Sequence, residues 1–217
     1  MPNPPKTPAP IRYRIDMPEP HTHLYRVTLT IAEPEGMQRL SLPAWIPGSY
    51  LIREFARHLQ GLRARQGRRA LPVVQTGKSS WEVACKPGTA LTLDYAVYAG
   101  DASVRTAWLD ASRGFFNATS LCLRAQGHTH HPHTLELSAP RTRPRWQVAT
   151  GLTAARVDPH GFGLYAAADY DELADCPFEL GAFWSGHFKA AGVPHRFVVA
   201  GATAAFDGER LDRKSVV

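Results

Sequence analysis

Ten histidines give this chain most of its capacity for coordination chemistry. Four of them, His128, His130, His131 and His133, crowd one short stretch around Thr129 and Pro132. Imidazoles at that density can bind nickel, copper or zinc through their ring nitrogens. A closed site would draw on further ligands, and no Asp, Glu or Cys stands beside them in sequence; the competing reading is a solvent-exposed histidine loop. His21 and His23, two apart, would share one strand face and could ligate a metal only with a third partner. Asp169, Asp171, Glu172 and Asp175 offer carboxylates suited to calcium, but the spacing and the loop glycine of a calcium-binding hand are missing. A cap on a short helix is the better reading, with Asp169 or Asp171 accepting backbone N–H bonds. Cys85, Cys122 and Cys176 are odd in number and far apart, which argues against a disulfide framework and a Cys-based zinc knuckle. Reduced thiols fit a cytoplasmic protein.

The catalytic motifs are missing. No histidine is followed by Glu, so the zinc-binding His-Glu-x-x-His is absent. There is no Gly-x-Ser-x-Gly elbow and no phosphate-binding loop. Gly161 and Gly163 form a Gly-x-Gly with no helix after it. Cys122 has no neighbouring base. The positive charge, +6 with a pI near 9.5, gathers at Arg63, Arg65, Arg68 and Arg69 and again at Arg141, Arg143 and Arg145. Neither cluster carries a groove-reading motif, so a solvated face is favoured over nucleic acid. No apolar run is long enough to span a membrane.

The elements that must position these residues read as strands. Residues 11–17 alternate. Tyr25, Val27, Leu29 and Ile31 face one way, with Arg26, Thr28 and Thr30 facing the other. Residues 33–36 turn, and residues 37–42 form the next strand. That strand feeds a rigid corner, residues 42–49, Leu-Pro-Ala-Trp-Ile-Pro-Gly-Ser. Pro43 and Pro47 restrict the backbone before them, and Pro47-Gly48 suits a tight turn. Trp45 is expected in the core, with Ser49, Tyr50 and Arg53 making a polar edge. Residues 50–59 are ambiguous, and extended structure is favoured from about 55 to 65. Trp81, Val83 and Cys85 alternate, Pro87-Gly88 turns, and Leu91, Leu93, Tyr95 and Val97 alternate again, which predicts a hairpin. Residues 107–116 are apolar but irregular. Short strands are expected at 121–123, 134–137, 146–149, 162–167 and 193–200, and one helical turn at 169–174. Strand signals this frequent, with almost no amphipathic helix, predict a mainly β fold: an antiparallel β-sandwich or a saddle-like multi-sheet β-domain.

The order of these features resembles a known family. Residues 42–58, Leu-Pro-Ala-Trp-Ile-Pro-Gly-Ser-Tyr-Leu-Ile-Arg-Glu-Phe-Ala-Arg-His, are similar to the N-terminal region of the glycyl aminopeptidase family of metallopeptidases, family M-sixty-one, whose members usually carry a PDZ domain. Lys78-Ser79-Ser80-Trp81, residues 94–98, residues 114–121, residues 146–150, the acidic junction 169–177 and residues 192–195 match in the same order. The resemblance spans roughly residues 11–212. It implies a thermolysin-like aminopeptidase in which a β-rich N-terminal domain covers a catalytic domain holding one zinc, whose bound water attacks the peptide carbonyl. The metal motif and any PDZ-like stretch are absent here, so no catalytic residue and no cofactor transfers to these positions; zinc is expected in the missing catalytic domain. The expectation is an N-terminal, non-catalytic portion of a longer protein: a flexible leader at 1–10, a β-domain at 11–168, and at 169–217 a junction with the first strands leading to the catalytic domain. Its partners would be that domain and, through the parent enzyme, a peptide substrate, with no nucleic acid and no membrane. Asn117 and Thr119, in the 114–120 loop, are candidate substrate-side contacts; Tyr50 and Arg53 are candidate domain-interface residues. Two alternatives stand beside this: a β-sandwich binding module for carbohydrate or protein, using Trp45, Trp81, Trp108, Trp146 and Trp184 for stacking, and a small metalloenzyme built on the residue 128–133 histidines.

Overall fold

The structure is a computed structural model that describes residues 11–46, 49–141, 145–201 and 207. The expected leader, the Pro47-Gly48 turn, Arg143 and the last ten residues lie outside the described residues. The chain runs β1 (Ile11–Asp16), β2 (Leu24–Ile31), β3 (Met37–Ser41), β4 (Leu59–Gln66), β5 (Arg69–Leu71) and β6 (Val74–Gly77). It continues through β7 (Ser80–Ala84), β8 (Leu91–Tyr98), β9 (Ala107–Leu109), β10 (Arg113–Phe116), the helical turn α1 (Ala118–Leu121) and β11 (Arg124–Ala125). The last part holds β12 (His133–Leu137), β13 (Gln147–Thr150), β14 (Thr153–Val157), β15 (Gly163–Ala167), α2 (Tyr170–Asp175), β16 (Phe178–Gly181), β17 (Phe183–Ala190) and β18 (Val193–Ala200).

An eight-stranded sheet in the order β14-β15-β12-β1-β2-β8-β4-β5 carries the fold. Its strands pair antiparallel except β1 with β12, which run parallel with Ile11 opposite His133. The period-two alternation puts Tyr13, Ile15, Tyr25, Val27, Leu29, Leu93, Tyr95 and Val97 on the buried side. Leaving water stabilises each such side chain by roughly 1.5–3 kcal/mol. The other side is polar, with Thr28 donating to Asp94 at 2.7 Å and exposed ion pairs Arg14–Asp16 and Arg65–Asp94. Two four-stranded sheets, β13-β16-β10-β9 and β11-β3-β7-β6, add their own apolar residues to the same core. Phe116 links the layers: it meets Tyr25 edge-on and stacks on Phe178 with centroids 4.8 Å apart. Among the described residues the protein is mainly β, with several sheets and no closed barrel, and the expected multi-sheet β-domain is what the chain forms.

Several expectations are corrected. Residues 81–97 do not form a hairpin. β7 pairs with β3 and β6, whereas β8 pairs with β2 and β4, so the chain changes sheet at Pro87-Gly88. Phe55–His58 is a 3-10 turn rather than strand, entered through Glu54 at φ 46°, and extended structure starts at Leu59. Residues 107–116 are a regular hairpin, β9 to β10. Its turn is set by Asp110, whose Oδ1 accepts the backbone N–H of Ser112 and Arg113. Burial pushes the Asp110 carboxyl up, but the hydrogen bonds from Ser112 and Arg113 outweigh it and hold it below its usual range. Residues 118–121 are helical, where a strand was expected at 121–123. Pro20–Thr22 is a 3-10 turn, so His21 and His23 do not share a strand face. The helical turn at 169–174 is present as α2, and Asp169 caps it by accepting the Glu172 N–H at 2.8 Å.

Candidate functional site

The 114–120 segment leaves sheet β13-β16-β10-β9 as β10 and turns into α1 inside the core, where Ala118, Thr119, Ser120 and Leu121 are all buried. Asn117 stands at the junction with extended backbone. Its amide donates to Val104 O at 2.9 Å and Thr106 O at 3.4 Å, and its own N–H reaches Thr106 O. That side chain is therefore committed to holding the 101–106 loop against α1. Thr119 Oγ1 and Ser120 Oγ are buried and have no hydrogen-bond partner among the described residues. Ser120 also lines a cavity of about 10 Å³ together with Phe55, His58, Tyr98, Asp101 and Thr106, at the lower limit for one water molecule. Burial, followed by the adjacent Arg57, lowers the His58 pKa, while Asp101 opposes them.

Three tyrosines from three elements fix the chain just after this segment. Tyr95 of β8 donates to Leu121 O at 2.7 Å and accepts the Leu123 N–H at 3.1 Å. Tyr170 of α2 donates to Cys122 O, and Tyr13 of β1 to Leu123 O, both at 2.8 Å. Three consecutive carbonyls, none in a ladder with its neighbours, thus each receive a phenol. Burial raises the pKa of all three tyrosines well above the usual value, and it pushes up the Cys122 thiol between them. The alternating pattern marks Tyr13 and Tyr95 as buried; nothing in the sequence announces that they and Tyr170 meet at one peptide segment.

The corner at residues 42–53 is held by polar contacts. Ser49 is its hub. Its Oγ donates to Leu51 O and accepts from the Leu51 N–H and Arg53 Nε, while Arg53 N–H bonds Ala44 O at 2.7 Å. Trp45 is not in the core. Its ring is 50% exposed and its Nε1 donates to Ser49 O: the indole braces the corner across its own turn. Tyr50 stands wholly in solvent, and Leu51 and Ile52 beside it are 62% and 74% exposed. Arg53 is half-buried, tied to Ser49. Four large apolar side chains within eight positions therefore face outward.

The histidine loop is not solvent-exposed as a whole. His130 is exposed and His131 half-buried, but His128 and His133 are buried. His133 opens β12, stacks on Tyr13 and meets Tyr170 edge-on. Burial lowers its pKa, and the His131 carbonyl that its Nδ1 contacts opposes the shift. Among the described residues, no group of three or more His, Cys, Asp or Glu side chains is placed to hold a metal ion. No helix among the described residues is long and apolar enough to cross a membrane.

Residues 12–182 match the family described as Peptidase M61 N-terminal domain. No curated protein matches the sequence. Among solved structures, the chain is similar to an aminopeptidase N family protein from Idiomarina loihiensis, with 43% identity and a TM-score of 0.90 over 94% of this chain and 35% of that one. It is also similar, at 15% identity and a TM-score of 0.53, to a mutant M1 zinc metallopeptidase from Deinococcus radiodurans bound to a Tyr-Ser-Ala substrate, over 94% of this chain and 51% of that one. The second likeness is one of fold alone. The chain spans about a third of the first relative and about half of the second.

Proposed function

The chain belongs to the peptidase M61 N-terminal domain family, and on that premise we propose that it serves as the non-catalytic β-domain of a zinc-dependent aminopeptidase that removes residues such as Gly or Ala from peptide N-termini. The zinc and its ligands belong to a catalytic domain outside these 217 residues, and no catalytic step runs through the side chains described above. The domain's part is to wall the active site, so that extended chains are excluded and free ends admitted. Residues 169–217 act as the junction, with β17 and β18, paired only with each other among the described strands, as the first strands toward the next domain.

The observation that carries this reading is the outward-facing corner. Trp45, Tyr50, Leu51 and Ile52 expose apolar surface on a backbone pinned by Ser49. A rigid apolar projection of this kind suits a permanent contact with another domain. Tyr50 makes the contact, and Arg53 contributes through its tie to Ser49. On the substrate side the candidates are Asn117 and Thr119: Thr119 Oγ1, like Ser120 Oγ, is a buried hydroxyl with no partner among the described residues, and Asn117 holds the segment that carries it.

Two measurements test the proposal. The purified chain should not cleave glycyl or alanyl anilides; chelator-sensitive cleavage would sink it. The coding sequence past residue 217 should contain His-Glu-x-x-His within roughly 100 residues; a reading frame lacking it removes the aminopeptidase parent.

A further inference from the structure

The loop between β11 and β12 holds a pair of donors that the aminopeptidase reading leaves unused. His128 Nδ1 and His131 Nδ1 lie 3.2 Å apart, their rings at 70° to one another. The backbone around them is set. His131 N–H bonds His128 O, His128 N–H bonds Ala125 O, the Pro132 carbonyl accepts from Ile11 N–H, and the Thr129 carbonyl accepts from Tyr170 N–H. Two imidazole nitrogens are thereby brought to hydrogen-bond distance by a framework that does not depend on their bonding to each other.

We propose that His128 and His131 form an open, two-imidazole binding site for a borderline divalent transition-metal ion, zinc or copper, with water in the remaining positions. The spacing carries the assignment. A zinc ion lies about 2.0–2.1 Å from each imidazole nitrogen, so donors 3.2 Å apart subtend roughly 100° at it, between the square-planar and tetrahedral angles. Imidazole nitrogen is the donor that suits these ions. The Glu35 carboxylate packs against Gly127, next to His128 in the chain, and brings negative charge to the edge of the site. The proton on one of the two Nδ1 atoms moves to the Nε2 of the same ring, so each Nδ1 offers a lone pair and no net proton is released; the His128 Nε2 is buried without a partner among the described residues.

Two protein ligands make an exchangeable site rather than a closed four-ligand one. Its effect falls on the loop and on what the loop holds: Tyr170, whose N–H is bonded to Thr129, opens α2 at the acidic junction. Metal would stiffen that attachment.

Isothermal titration of the tag-free chain with ZnCl2 and CuCl2 tests the site. One ion should bind per chain, copper more tightly than zinc. His131→Ala should weaken binding by about tenfold or more, while His130→Ala, at the exposed neighbour, should leave it within about twofold. No saturable binding below about 100 µM overturns the proposal, as does equal weakening by both variants. If His131→Ala is misfolded, imidazole NMR of the unmutated chain decides. Zinc should shift the His128 and His131 resonances; a shift confined to His130 overturns the site.

Discussion

Replacing Tyr95 by Phe removes one oxygen and strands two buried backbone groups. Leu121 O loses its donor and the Leu123 N–H loses its acceptor, on residues with no solvent exposure. An unsatisfied buried group costs about 1–3 kcal/mol, so Tyr95→Phe should destabilise the fold by about 2–4 kcal/mol. Tyr13→Phe and Tyr170→Phe each strand one carbonyl, Leu123 O and Cys122 O, and should cost about 1–2 kcal/mol. Urea unfolding followed by tryptophan fluorescence reads this directly. With a slope of about 3 kcal/mol per M, the midpoint should fall by about 1 M for Tyr95→Phe and about 0.5 M for each of the others. Tyr50→Phe, on a side chain wholly in solvent, should leave the midpoint unchanged. The triple variant should lose less than the sum, because one loosened peptide segment is shared by all three. The reasoning is refuted if Tyr95→Phe shifts the midpoint no further than Tyr13→Phe, or if none of the three moves it beyond the Tyr50→Phe control.

Two further outcomes follow from the core. Tyr13, Tyr25, Tyr95 and Tyr170 have folded-state pKa values raised well above 10, first of all by burial. The folded state therefore keeps protons that the unfolded chain releases above pH 10, so this stability is intact below pH 10 and is lost as pH rises further. The unfolding free energy should fall by up to about 5 kcal/mol per pH unit there, and a flat profile between pH 10 and 11 contradicts it. Gly114→Ala would place a methyl 2.7 Å from Tyr25 Oη and 3.0 Å from Leu180 Cδ1. Overpacking of that kind costs about 1–3 kcal/mol, and thermal unfolding should show a lowered midpoint; an unchanged midpoint means the β10–β16 contact is looser than described.

The alternation in residues 24–31 and 91–98 was enough to place β2 and β8, because a period of two has one structural meaning when one face is buried. It could not say which sheet a strand joins. Trp81 and Val83 alternate as well as Leu91 and Leu93, yet Pro87-Gly88 divides two sheets instead of closing a hairpin. Pairing is a non-local property, and local hydrophobicity is blind to it. Trp45 failed for a related reason: an indole carries a donor, and here Nε1 finds Ser49 O without entering the core. At the candidate site, residues 114–120 were legible as a segment, but the burial of Asn117 and Thr119 was not, since both are polar residues whose surroundings come from distant strands. The pairing of His128 with His131 depends on a turn that sequence spacing permits but does not require.

The parallel pairing of β1 with β12 bears on the order in which the chain can fold. β2 follows β1 closely and can zip onto it at once. The other edge of β1 has no partner until residues 133–137 exist, so on the ribosome one edge of a six-residue strand waits unpaired through the synthesis of more than half the domain. An apolar strand edge left open that long is a template for wrong partners. Closing it across so large a sequence separation is slow, and it joins the beginning of the domain to its middle. Shortening the N-terminus into β1 would remove the strand between β12 and β2 and cut β12, β15 and β14 off from the rest of the sheet.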